Sequence, residues 1–93
     1  MSIELKKYVI WGSYCENVLE KRVPFRQAHL DNLKALHETG QLQTIGPTQD
    51  LSKVFAVYAA PNIDAARQLF EADVYWQNHI WTDYEIHEWI QVY

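Results

Sequence analysis

Lys53-Val54-Phe55-Ala56-Val57-Tyr58-Ala59-Ala60 reads as a β-strand that is apolar on both faces. Its β-branched and aromatic residues suit a pleated strand, and continuous apolarity marks a strand covered on each side. Such a strand is central in its sheet, or meets a partner on its second face. Pro61-Asn62 ends it and opens a helix, with Asn62 placed as the N-cap. Ile63, Ala66, Leu69 and Phe70 give that helix its apolar stripe, and Asp73 stands at its end. Residues 74–80 have room for one more short turn.

Toward the N-terminus, Gly46-Pro47 closes a second strand, residues 41–45, which alternates polar and apolar side chains. Gly40 is placed as the C′ residue of a helix that begins near Pro24 and runs to about Thr39. Leu30, Leu33 and Leu36 mark the buried side of this helix. Arg26 and His29, three residues apart, share a face at its edge. Residues 14–23 fit either a loop or a helical turn. Residues 5–11 read as the first strand, with Gly12 and Ser13 starting a loop. From Thr82 to Tyr93 the chain alternates again, Tyr84, Ile86, Ile90 and Val92 facing one way and Trp89 and Tyr93 the other. The resulting order, β-α-β-β-α-β, is the α+β ferredoxin-like arrangement: a four-stranded antiparallel sheet with two helices on one face. The other face is left open and apolar, which predicts a homodimer joined sheet to sheet.

Composition sets limits on function. The 93 residues suit one domain spanning 1–93, and 48% apolar content is enough for a core. Four Trp and six Tyr are more aromatic surface than so small a domain easily covers, a second argument for self-association. A net charge of -4 speaks against a nucleic-acid partner and against an anionic membrane surface. The one cysteine, Cys15, cannot form an internal disulfide, and a reducing, cytoplasmic setting follows as the simpler expectation. No apolar run approaches the roughly 20 residues of a membrane span, and the N-terminal residues 1–7 lack the apolar centre of a signal peptide. His37, His79 and His87 show no metal-ligand spacing, and neither a Cys-x-x-Cys pair nor a glycine-rich phosphate loop occurs. No metal and no cofactor is expected.

Arg26-x-x-His29-Leu30, Gly40, Gly46-Pro47, Asp73-x-Tyr75 and a terminal strand ending in an aromatic follow one another in an order that resembles the YciI-like (YCII-related) family. The resemblance runs from about residue 6 to the C-terminus. It implies a dimeric α+β barrel in which two ferredoxin-like units pack their sheets together, with a pocket between sheet and helices in each. Relatives on that architecture include muconolactone isomerase-like, dehydrochlorinase-like and heme-degrading enzymes. It also implies a catalytic His–Asp pair, at His29 and Asp73 here. One departure stands out: the family has Pro between the Asp and the aromatic, and this chain has Val74. Proline would stiffen the turn that carries the carboxylate.

A carboxylate bonded to one ring nitrogen of a histidine fixes the tautomer and readies the other nitrogen for proton transfer. Without a partnered Ser or Cys, such a pair suits isomerisation, elimination or water activation. Competing readings exist for each residue. His29 could be a structural histidine, Asp73 could simply cap a turn, and Arg26 could be a surface charge rather than a clamp for a substrate carboxylate or phenolate. Gly46 and Pro47 could end a strand or border a pocket mouth, and Tyr75, Trp76 and Trp81 could line the pocket, the core or an interface. Two function classes remain: an acid–base enzyme on a small anionic metabolite, or a small-ligand-binding or regulatory module without turnover. An RNA-binding module of the same strand order is disfavoured, because residues 53–58 lack the glycines and basic flanks that such a strand needs.

Overall fold

The computed structural model describes residues 4–93. Residues 1–3, part of the N-terminal stretch read above, lie outside it. The strand at 53–60 forms with the expected bounds, as β3 (Lys53–Ala60). Around it stand β1 (Lys6–Tyr14), β2 (Leu42–Pro47) and β4 (Trp81–Trp89), in the sheet order β2-β3-β1-β4 with every pairing antiparallel. Helices α2 (Arg26–Glu38) and α3 (Ile63–Glu71) cover one face. Two short helices flank them, α1 (Val18–Lys21) and α4 (Val74–Gln77), and a 3-10 turn over Val23–Phe25 leads into α2. This is the ferredoxin-like α+β fold.

Period-two alternation sorts the strands. Tyr8, Ile10, Val54, Ala56, Tyr58, Ala60 and Ile86 point into the core with Ala66 and Phe70 of α3. One end of each long helix follows a local signal in the chain. Asn62 caps α3 by accepting from the Ala65 N–H at 2.8 Å. Gly40, with φ of 81°, ends α2: its N–H bonds the His37 carbonyl, and Gln41 N–H reaches back to the Leu36 carbonyl. That pair of bonds is the Schellman closure that glycine permits.

Three expectations are corrected. Gly12 and Ser13 are strand residues of β1, not the start of a loop. A Cβ on Gly12 would sit 2.7 Å from the Asp83 carbonyl, so this glycine allows β1 and β4 to approach closely rather than turn. The last strand stops at Trp89; Ile90 and Val92 are 73% and 81% exposed and add nothing to a core face. In α2 the inward row is Phe25, His29, Leu33 and Leu36, which leaves Leu30 41% exposed and buries His29 to 6%. A polar side chain occupies an inward helical position there because its partner lies beneath it.

Candidate active site

Asp73 follows the last turn of α3, and its extended backbone makes it the N-cap of α4. Its Oδ1 accepts from the Tyr75 N–H at 2.8 Å and pairs with His29 Nδ1 at 2.8 Å. Oδ2 accepts from Asn32 Nδ2, also at 2.8 Å. Asp73 is fully buried, at 0% exposure, and these three donors satisfy its charge. An ionised carboxylate only accepts, so the His29 proton is assigned to Nδ1, leaving Nε2 with its lone pair. The turn that proline would have stiffened is instead held by this set of hydrogen bonds.

Aromatic rings hold the imidazole from two further directions. Tyr75 stacks on it with centroids 3.6 Å apart and planes 6° from parallel, and Trp81 meets it edge-on at 5.3 Å. Trp81 is itself stacked on Phe70 at 4.3 Å, which ties the site to the core. Trp81 is thus a core residue.

In front of His29 lies a cavity of about 180 Å³. Arg26, Leu30 and Leu33 of α2 line it beside His29, together with Ile45, Gly46 and Pro47 of β2 and with Tyr14, Arg22 and Tyr75. Every binding residue expected from sequence, Arg26, Gly46, Pro47 and Tyr75, therefore shares one hollow with His29, while Asp73 stands behind the ring. A larger hollow of about 720 Å³ beside Trp11 and the 48–53 segment is an open surface depression away from this pair. Burial pushes the Tyr14 phenol up from its ordinary value. Burial first, and then the nearby Asp73 charge, pushes the Tyr58 phenol far up.

Sequence reasoning missed Asn32, Arg22 and Tyr14. Asn32 had a signal, since it is three residues beyond His29 and shares its helical face. Arg22 and Tyr14 had none, because their segment fitted either a loop or a helical turn; Tyr14 ends β1, and the closing of α1 and the 3-10 turn brings Arg22 to the cavity. Among the described residues no group of three or more His, Cys, Asp or Glu is placed to hold a metal ion. Nor is any helix long and apolar enough to cross a membrane.

The chain is similar to a 5-chloro-2-hydroxyhydroquinone dehydrochlorinase of Burkholderia phenoliruptrix, solved with 2,5-dihydroxybenzoquinone: TM-score 0.76, 20% identity, 90% of this chain and 93% of that one. It also resembles a NIPSNAP family protein of Agrobacterium tumefaciens, with TM-score 0.58, 10% identity and coverage of 99% and 90%. At those identities the likeness is one of fold. Protein YciI of Escherichia coli O6:H1 and that of Shigella flexneri are each 48% identical over 40 residues, 43% of this chain. The aligned stretch spans 41% of the length of these curated relatives. The YCII-related domain model matches residues 6–90, nearly the whole chain, and the protein belongs to the YCII-related family.

Proposed function

We propose that this protein is a small dimeric acid–base enzyme acting on a small anionic metabolite, with His29 moving the proton and Asp73 orienting it. The observation that carries this reading is the buried 2.8 Å His29–Asp73 pair at the wall of a cavity that also holds Arg26. His29 Nε2 takes a proton from the substrate, and the imidazolium formed faces the Asp73 carboxylate, which stabilises it. Returning that proton to another atom completes an isomerisation; expulsion of a leaving group completes an elimination. No Ser or Cys lines the cavity, so the chemistry runs by proton transfer rather than through a covalent intermediate on such a side chain. Arg26 supplies the clamp for a carboxylate or phenolate. A cavity of about 150 Å³ is enough for benzene, so the 180 Å³ here suits a molecule of one ring. The dehydrochlorinase neighbour, whose named substrate is a single chlorinated ring, supports elimination as the first reaction to try.

The test is proton exchange in heavy water, followed by NMR, on a panel of single-ring hydroxylated and chlorinated acids that includes 5-chloro-2-hydroxyhydroquinone, with chloride release read in parallel. His29→Gln is expected to lower the rate by about 10²–10⁴-fold. Asp73→Asn is expected to lower it as well, because a neutral amide does not stabilise the imidazolium that forms. A rate indifferent to His29→Gln would overturn the reading. Tight binding across the panel with neither exchange nor release would leave the chain a ligand-binding module.

A further inference from the structure

The cations of this chain are unevenly partnered. Of its 8 Lys and Arg, Lys6 and Lys34 pair with glutamates, Lys7 with Gln91, Lys53 with Ser13 and Arg67 with Tyr84. Those with neither an ion pair nor a side-chain hydrogen bond among the described residues are Lys21, Arg22 and Arg26. Two of these three line the cavity in front of His29. The protein as a whole is acidic, at -4, yet no carboxylate lines that cavity. Asp73, the nearest acid to the ring, is covered and committed to three donors.

The cavity wall holds a further unmet group. The Tyr75 hydroxyl is buried without a hydrogen-bond partner, as are the Tyr58 hydroxyl and the Trp81 Nε1, and of these three residues Tyr75 borders the hollow. Buried polar groups are nearly always satisfied, so this hydroxyl is available to a water or to a polar atom of an occupant. Nor does α2 supply its own anion: its N-terminus has no side-chain cap and no acid in its first turn. The positive end of the helix therefore adds to the two guanidinium groups.

We infer that the occupant is a single-ring dianion, with one acidic oxygen on Arg26 and a second on Arg22. This rests on the cavity being the substrate site and goes further by setting the charge and the oxygen pattern of the substrate. Arg22 becomes a residue that determines specificity. A singly charged ring engages one fork and leaves the other guanidinium unmatched, so the dianion is selected by charge rather than by shape.

The probes are benzene-1,4-dicarboxylate and 2,5-dihydroxybenzoquinone as dianions, with benzoate as the monoanion, titrated calorimetrically into the whole protein at low and at physiological salt. At least one dianion is expected to bind at least about tenfold more tightly than benzoate. Arg22→Gln should bring that ratio close to one while changing benzoate affinity little, and Arg22→Lys should restore part of it, since charge remains but the fork is lost. Equal affinity of all three probes for the native protein overturns the inference. So does a loss in Arg22→Gln that is the same for benzoate and the dianion, in protein whose circular dichroism is unchanged. Dianion preference without turnover of any ring acid would sink the enzymatic reading alone; turnover indifferent to Arg22 would sink this inference alone.

Discussion

Asp73 serves structure and site through the same two oxygens. It caps α4 through the Tyr75 N–H, anchors α2 through Asn32, and sets the tautomer of His29. Removing the side chain leaves two buried donors and the half-buried Asn32 amide without an acceptor, and both cap loss and unsatisfied donors destabilise by roughly 1 kcal/mol or more apiece. Asp73→Ala is accordingly expected to lower unfolding free energy by about 3 kcal/mol, read from the urea midpoint. Asp73→Asn, which keeps one acceptor oxygen toward His29 and Tyr75, should lose distinctly less. A loss in Asp73→Ala well under about 1 kcal/mol would show that water replaces the carboxylate without penalty. At this scale the sequence carried the identities of the pair but not its depth. His29 looked like an edge residue because helical periodicity counts apolar side chains only. It is buried because a carboxylate 44 positions away supplies its hydrogen bond.

The elements were legible where the chain carries a local signal. Asn62 and Gly40 mark helix ends by bonds made within a few residues, and both sit where their chemistry placed them. Gly12 was misplaced because glycine in a turn and glycine in a crowded strand look alike in one dimension. The two uses separate by mutation. Gly12→Ala drives its Cβ against the Asp83 carbonyl and the Val54 side chain. It is expected to cost about 1–3 kcal/mol in chemical denaturation. Gly46→Ala meets nothing within 4 Å, so its stability should stay within about 0.5 kcal/mol of the native protein. Because Gly46 lines the cavity, its effect should fall on ligand affinity instead.

The whole molecule has one sheet face covered by helices and one without cover. On the bare face Trp11 lies opposite Phe55, each 41% exposed, with Val9 half-buried and Val57 buried beside them, and Trp89 is 40% exposed on the neighbouring strand. An aromatic patch of this kind is the expected surface for a second copy, joined sheet to sheet about a two-fold axis. Light scattering on the eluted protein should give the dimer mass, and Trp11→Glu, which sets a charge at the centre of that face, should shift it to the monomer. A native protein that elutes as a monomer at micromolar concentration would rule the dimer out. At this largest scale the division of information is plain. The sequence alone determined the order of the main strands and helices and the caps at Asn62 and Gly40, because periodicity and capping act over a few residues, while the pairing of His29 with Asp73 was implied by the family resemblance. Only the tertiary structure decided that His29 faces inward, that Asn32 joins its partner, and that Arg22 and Tyr14 reach the same cavity. Those contacts join segments far apart in the chain, or hang on turns that no local pattern specifies, and they exist only once the sheet has brought the segments together.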